Sequence, residues 1–169
     1  TGGFAINAAM AGASSVVGVD SSQPALDIAK RNAARNGVAS NCTFVKAEAF
    51  KHLEWLLEEG HAGTYDVIVL DPPKLAPNAK SLTRALPKYV GLNKRAMRLL
   101  RPGGLLVTCS CSGVVTQNNM LPDVVLAAAQ SAGTSATALG APRGAGADQP
   151  LDPFYPEGNY LTVCVYRIG

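Results

Sequence analysis

Apolar and polar residues follow two alternating patterns along this chain of 169 residues. Short apolar runs rich in β-branched residues predict strands over residues 15–20, 42–46, 65–71, 105–110 and 160–168. Stretches with apolar residues three to four positions apart predict helices over residues 4–11, 22–36, 49–59, 81–100 and 121–131. Strands that alternate with helices predict an α/β fold with a doubly wound, mostly parallel sheet.

Glycine, proline and capping residues set the expected ends of these elements. Ser22 is the predicted N-cap of its helix and Gly37 its stop, while Pro87 and Gly91 can interrupt the helix of residues 81–100. The sequence Arg-Pro-Gly-Gly at 101–104 predicts a turn, and the Gly-, Ala- and Pro-rich stretch 133–150 predicts a loose loop. No crossover helix precedes the strand 160–168, so we expect that strand to run antiparallel to its neighbour.

The composition indicates one domain, residues 1–169, because 47% of the residues are hydrophobic and can form a core. The sequence shows no apolar stretch long enough to span a bilayer and no signal peptide. Its cysteines lack the spacing of a zinc site or a disulfide framework, so we expect reduced thiols, no metal and a cytoplasmic protein. The opening Thr-Gly-Gly-Phe has no methionine, which predicts a truncated fragment of a longer protein whose first strand is missing.

The motif Asp71-Pro72-Pro73-Lys74 follows the apolar run of residues 65–70, which predicts a strand buried on both faces. Two prolines cannot continue a central strand, so the sheet is expected to stop at Asp71. In open α/β sheets this carboxyl edge is where ligands bind. Taken alone, the motif fits a polar strand end beside an ordinary proline turn equally well.

Three successive predicted strands are followed by acids, namely Asp20, Glu48 and Asp71. Two glycines before the first helix let the backbone approach a ligand, and an acid after the next strand can bind ribose hydroxyls. This pattern predicts a crevice with a ribose end, an adenine end and a reaction end. The glycines do not form G-x-G-x-x-G, so a nicotinamide dinucleotide is only weakly indicated. The expected cofactor-binding residues are Gly2, Gly3, Asp20, Ser21, Glu48, Ala49 and Asp71.

Two cysteines, Cys109 and Cys111, stand near the end of the strand 105–110. Cys109 lies further back in the strand, where an apolar environment makes a thiol inert. Cys111 lies in a small-residue turn at the ligand edge, where the ammonium of Lys74 would favour its thiolate. Cys111 is therefore the candidate nucleophile, and Cys109, Cys42 and Cys164 are predicted to be small buried residues.

Basic residues are concentrated between Pro72 and Arg101, where the sequence has no acid. They are Lys74, Lys80, Arg84, Lys88, Lys94, Arg95, Arg98 and Arg101. Most charge runs are simply a solvated helix face, but a one-signed run beside a candidate site also suits a phosphate backbone. We therefore expect this run to contact a nucleic acid.

Five stretches resemble class I S-adenosylmethionine-dependent methyltransferases: TGGFAINAAMAG, VVGVDSSQPALDIAKRNAARNG, YDVIVLDPPK, RPGGLLVTCSCSG and YPEGNYL. More closely, they resemble the ribosomal large-subunit RNA cytosine-5 methyltransferases that carry an N-terminal PUA domain. The resemblance covers essentially the whole chain. It implies a Rossmann-like fold, S-adenosylmethionine as cofactor, and RNA, above all ribosomal RNA, as partner.

The resemblance also implies individual roles. Gly2 and Gly3 would hold the methionine part of the cofactor, Asp20 the ribose, and Glu48 the adenine amine. Asp71 would contact the target base and Cys111 would be the nucleophile. Lys74 stands where the wider family often carries a second cysteine that helps to release the product, so another base would have to do this. Because the first strand and the N-terminal domains would be missing, we expect the isolated chain to be weak or inactive.

Two other functions stay open from the sequence. An RNA N-methyltransferase acting on guanine or adenine would share the cofactor and the D-P-P turn but would form no covalent adduct. A catalytically silent methyltransferase-like domain would bind RNA without turning over the cofactor. Neither the target nucleotide nor the oligomeric state, for which a homodimer is one option, can be read from the sequence.

Overall fold

A computed structural model describes residues 1–144, 146 and 151–169. Its helices are α1 (Gly3–Met10), α2 (Gln23–Arg35), α3 (Ala49–Glu58), α4 (Leu82–Leu99), α5 (Gly113–Gln117) and α6 (Leu121–Ala132). Its strands are β1 (Val16–Asp20), β2 (Cys42–Lys46), β3 (Tyr65–Leu70), β4 (Leu100–Ser110), β5 (Ala136–Ala138) and β6 (Thr162–Ile168). The predicted alternation of helices and strands, and with it the α/β fold class, is confirmed.

The chain divides into two compact units, Thr1–His52 and Leu53–Gly169. In the first unit β1 and β2 pair in parallel, so that Asp20 lies opposite Lys46 where both strands end. Ser22 caps α2 as predicted, because its Oγ accepts a hydrogen bond from the Ala25 N–H at 3.4 Å. Gly37 follows this helix with a φ of 69°, a conformation that glycine adopts without strain.

The second unit contains a four-stranded sheet in the order β3-β4-β6-β5. The strands β3 and β4 are parallel, while β6 runs antiparallel to both β4 and β5, which confirms the predicted direction of the last strand. The helix α4 continues through Pro87 and Gly91 without interruption. Its apolar face is buried, including Tyr89 and Leu92, and this packing outweighs the low helix propensity of the two residues.

The structure corrects two details of the predicted elements. The strand β3 is not buried on both faces, since Val67 is 51% exposed and Val69 36% exposed; β3 is the edge strand of the described sheet. The predicted turn at 101–104 lies inside β4, where the pairing register shifts opposite Tyr65 and Val67. The two steps from Tyr65 to Val67 lie opposite the five steps from Leu100 to Leu105, so the three extra residues, with Gly103 at a φ of 81°, protrude from the strand without reversing the chain.

The stretch predicted as a loose loop contains the short strand β5, which pairs with β6, and a bridge between Arg143 and Val163. A pairing partner distant in sequence supplies the order that the local composition does not predict. Residues 145 and 147–150 of this stretch lie outside the described part of the chain. The helix α5 was also not expected, because the small-residue turn after β4 gave no helical pattern.

Candidate active site

The glycine turn of the first unit is shaped for a close approach of the backbone. Gly2 caps α1 with a φ of 86°, and a Cβ there would lie 3.0 Å from Ala29 Cβ and 3.1 Å from Ile6 Cδ1. A larger residue at Gly2 would therefore be strained twice, by its backbone conformation and by its neighbours. Around Gly3, in contrast, no atom lies within 4 Å of an added Cβ, so the start of α1 is open.

The two acids of the first unit follow neighbouring parallel strands and are held by local hydrogen bonds. Asp20 Oδ1 accepts from the Ser22 N–H at 2.8 Å, and the Asp20 carbonyl accepts from the Ala47 N–H at 3.1 Å. Glu48 caps the start of α3, since its two carboxylate oxygens accept from the N–H groups of Phe50 and Lys51 at 3.1 and 3.0 Å. Both acids, and their neighbours Ser21 and Ala49, are exposed.

These residues fit the nucleoside part of a cofactor. The helix α1 returns through a short loop to β1, so its open N-terminus lies toward the carboxyl end of that strand. Two fixed carboxylates at adjacent strand ends can accept hydrogen bonds from ribose hydroxyls and from an amine. Of the three predicted acids, the structure therefore brings Asp20 and Glu48 together in one unit, while Asp71 belongs to the second unit.

In the second unit, Cys111 lies directly beyond β4 and beside the D-P-P loop. Its Sγ is 3.8 Å from the Pro72 carbonyl oxygen, a distance suited to a weak S–H donor. The parallel register of β3 and β4, with Leu70 opposite Thr108, explains why the two strand ends meet. Asp71 and Lys74 are both exposed on this loop. The carboxyl edge of this sheet therefore collects the three predicted catalytic residues.

The two neighbouring cysteines differ in burial. Cys111 is partly exposed, whereas Cys109 is only 3% exposed. Burial, with a smaller contribution from the charge of Asp71, raises the pKa of Cys109 to about 12. Cys164 is buried as predicted, and burial raises its pKa too, while Cys42 is half-buried rather than buried. Cys42 begins β2, where its side chain reaches only the Ala5 carbonyl at 3.8 Å.

A buried hydroxyl network holds Cys111 in place, and sequence reasoning missed it. The Tyr89 hydroxyl lies 3.1 Å from Ser110 Oγ and 3.0 Å from Ser112 Oγ. Ser112 Oγ also accepts from the Ala76 N–H at 3.1 Å, which ties the end of the D-P-P loop to the turn after β4. The three hydroxyl residues are fully buried. The alternation of serine and cysteine in TCSCSG was the one sequence feature that could have indicated this network. The partner of the two serines, Tyr89, lies on the helix α4 and could not be found from that motif.

The basic run is only partly available for a partner. Arg95 Nε bonds Glu54 Oε2 at 2.9 Å, and Arg101 Nε bonds Asp66 Oδ1 at 2.6 Å. Glu54 and Asp66 lie outside the basic run, so the sequence of the run did not indicate that two of its arginines form ion pairs. The exposed residues of the run that make no ion pair within the described residues are Lys74, Lys80, Arg84, Lys88 and Arg98.

The fold and the two groups of site residues define an α/β methyltransferase class. A family model described as a methyltransferase domain matches residues 1–144, and the chain belongs to this family. The chain is 45% identical over 168 residues to ribosomal RNA large subunit methyltransferase I of Aeromonas hydrophila, covering 99% of the chain and 41% of the relative. It is 44% identical over 162 residues to the protein of the same name from Photobacterium profundum, covering 95% and 40%.

Solved structures confirm the Rossmann-like methyltransferase fold. The structure of SMU.776, described as a methyltransferase complexed with SAH, superposes with a TM-score of 0.80 at 22% identity, covering 97% of this chain and 42% of that one. The chain thus spans about two fifths of the length of the curated relatives, 41% for the first. Among the described helices, none is both long and apolar enough to cross a membrane.

Proposed function

We propose that this chain is the catalytic part of a methyltransferase that forms 5-methylcytosine in large-subunit ribosomal RNA through a covalent adduct of Cys111. The observation that carries the proposal is the contrast between two thiols near the end of β4. Cys111 is partly exposed, 3.8 Å from the Pro72 carbonyl, while Cys109 is buried with a raised pKa. The choice of ribosomal RNA is supported by the relatives that are 44–45% identical over nearly the whole chain.

The cofactor is S-adenosylmethionine, which supplies an electrophilic methyl group when it is bound. The open start of α1 at Gly3 would receive its amino-acid part. Asp20 Oδ2 and Oδ1 would accept hydrogen bonds from the ribose hydroxyls, with Ser21 beside them. Glu48 would accept from the adenine amine, next to Ala49.

The residues of the second unit would act on the target cytosine. The Cys111 thiolate adds to C6, the electrons of the 5,6 double bond move toward N3, which takes a proton, and C5 becomes nucleophilic. After C5 has accepted the methyl group, with S-adenosylhomocysteine as the leaving group, a base would remove the C5 proton, the 5,6 double bond would form again as the thiolate leaves C6, and N3 would return its proton to solvent. Asp71 would accept a hydrogen bond from the cytosine amine and hold the ring against the sulfur. The cytosine must be unstacked to reach this edge.

Lys74 would support the thiolate rather than replace the second cysteine of the wider family. It is exposed on the same short loop as Pro72, the residue whose carbonyl faces Cys111. A positive charge at this edge of the sheet would stabilise the negative charge that the reaction places on the sulfur and on the cytosine ring. The base that removes the C5 proton would come from solvent or from another side chain at the edge of the sheet.

Trapping with RNA that contains 5-fluorocytosine tests the proposal. Fluorine at C5 prevents the proton removal, so the intact wild-type protein should accumulate a covalent adduct that resists denaturation. Cys111→Ala should form none, while Cys109→Ala, the matched control two residues away in the same strand, should retain it. Methylation of RNA at the wild-type level by Cys111→Ala would overturn the adduct and favour N-methylation. RNA binding by the wild type without any methyl transfer would instead favour a silent domain.

A further inference from the structure

The second unit contains a concave pocket that the proposed chemistry does not use. Its volume is about 370 Å³, and it is lined by Gln117, Leu151, Asp152, Pro153, Tyr155 and Asn159. Among the described residues, the lining combines an aromatic ring, two amides, one carboxylate and two apolar side chains, and none of these six residues is basic. Beside the pocket stands Phe154, whose side chain is 96% exposed.

The pocket lies close to Cys111. The helix α5 begins two residues after Cys111 and ends at Gln117. Its four helical steps add about 6 Å and the two extended steps before it at most about 7 Å, so Cys111 and Gln117 lie within about 13 Å of each other. Thr116 Oγ1 donates to the Tyr160 carbonyl at 2.9 Å, which fastens the segment before β6 to α5. Thr162 Oγ1 bonds Thr116 Oγ1 at 2.7 Å and adds a second tie.

The segment that forms the far wall has a defined shape. Asp152 Oδ1 accepts from the Phe154 N–H at 2.8 Å, and the Asp152 carbonyl accepts from the Tyr155 N–H at 3.0 Å. The Gly158 N–H then donates to the Tyr155 carbonyl at 3.0 Å. A Cβ at Gly158 would lie 3.4 Å from Tyr155 Cδ1, so the Tyr155 ring rests against this glycine. The ring is nevertheless 61% exposed.

The chemistry of the lining suits a nucleobase. Proteins bind unstacked RNA bases by placing them on aromatic faces and by hydrogen bonding to their edges with amide and carboxylate groups. Asp152 in the lining and the nearby exposed Glu157 disfavour a phosphate in the pocket. A base edge, which carries amine donors and ring acceptors, matches both the carboxylate and the two amides.

Resting on the proposed function, we propose that this pocket binds an RNA base that flanks the methylated cytosine. The base stacks on Tyr155, and its edge is read by Gln117 and Asn159 together with Asp152. The neighbouring position of the pocket and Cys111 lets one single strand occupy both, with the target base at the sulfur. The pocket would therefore determine which sequence around the cytosine is accepted.

The test is a coupling experiment with the intact protein, after the cytosine that it methylates in ribosomal RNA has been mapped. It uses oligonucleotides centred on that cytosine. Each base within two nucleotides of the target is replaced in turn by an abasic site. In the wild type, one abasic site should raise KM about 5- to 100-fold, the range of a lost base–aromatic stack. Tyr155→Leu should raise KM on the normal oligonucleotide by a similar factor, with little change in kcat. Gln117→Ala should do so more weakly.

Combining the abasic sites with variants of Tyr155 tests whether the sensitive base is the one that binds in the pocket. With Tyr155→Leu, the sensitive abasic site should cause no further increase, and Tyr155→Phe, which keeps the ring, should behave like the wild type. Leu126→Ala is the control for an exposed apolar side chain elsewhere in the unit, 58% exposed, and should change nothing. Two results would contradict the proposal that the pocket binds a flanking base. One is an abasic site and Tyr155→Leu that raise KM independently, so that their factors multiply; the other is a wild-type KM for Tyr155→Leu. In both cases wild-type adduct formation would leave the proposed function standing.

Discussion

The proposed cofactor residues of the first unit and the proposed reaction residues of the second unit are positioned by different kinds of bond. Asp20 and Glu48 accept hydrogen bonds from N–H groups only two or three residues further along the chain. Around Cys111, Ser110 and Ser112 bond to groups 21 to 36 residues away. We therefore expect variants near Cys111 to change stability and reactivity together, and variants of the two acids to change mainly cofactor binding.

The thiols of the second unit should show the largest difference. Because the pKa of Cys109 is raised to about 12, its thiolate at pH 8 is about a thousandfold rarer than that of an ordinary thiol. In the folded protein, iodoacetamide should therefore label Cys111 long before Cys109, as resolved by mass spectrometry of the peptides. In urea the two should react at similar rates. Equal labelling in the folded state would contradict the burial of Cys109 and weaken the choice between the two residues.

The hydroxyl network should contribute the next largest effect. Ser112→Ala leaves the buried Ala76 N–H without its acceptor and removes one partner of the Tyr89 hydroxyl. A buried polar group without a partner costs about 1–3 kcal/mol, so we expect the free energy of unfolding to fall by about 2–3 kcal/mol. Tyr89→Phe should cost a similar amount, and the double variant less than the sum, because the two share one network.

Urea denaturation measures this effect, with exposed Ser131→Ala in α6 as the control that should change stability by less than about 0.5 kcal/mol. Wild-type stability in Ser112→Ala would mean that the network does not hold the D-P-P loop. Ser112→Ala should also slow adduct formation, because Cys111 lies between Ser110 and Ser112 and is less well positioned when the D-P-P loop is less firmly held.

The sequence predicted what local rules determine. The N-cap at Ser22, the stop at Gly37, the strand end at Asp20 and, to within one residue, the end of β3 before the two prolines follow from residues within one turn of each feature. The same holds for the burial of Cys109, which follows from its place inside a strand. These features depend on spacing along the chain, and spacing is visible in a sequence.

Apart from the short helix α5, the features that sequence reasoning missed depend on partners that are distant in sequence. The strand β5 exists because it pairs with β6, and the exposure of Val67 follows from the edge position of β3. Arg101 forms an ion pair with Asp66, 35 residues earlier, and this pairing makes it less available to a partner. Tyr89 bonds to the hydroxyl network from the helix α4. Pro87 had predicted an interruption of this helix. Such pairings are set by topology, which periodicity does not specify.

A smaller effect is expected at the acid after β1. Asp20→Ala removes the carboxylate that we propose for the ribose and should weaken S-adenosylmethionine binding by about tenfold, near 1.4 kcal/mol, as measured by calorimetry. Asp20→Asn keeps an oxygen for the Ser22 N–H and should lose less. Because the bond is local and exposed, stability should hardly change. Unchanged affinity in Asp20→Ala would remove this residue from the cofactor site.

The smallest effect concerns the basic run, in which Lys88 and Arg101 should differ. Lys88 is exposed and precedes Tyr89, whose hydroxyl bonds Ser112 next to Cys111. Arg101 is bonded to Asp66 and stands at the start of β4, at most about 25 Å from Cys111 at the rise of a strand, because Leu100 and Thr108 lie opposite Tyr65 and Leu70. Lys88→Gln should therefore lower the slope of log affinity against log salt by about 0.7, the value for one contact to single-stranded RNA. Arg101→Gln should leave the slope unchanged, and an equal loss in both variants, or a wild type insensitive to salt, would contradict the assignment.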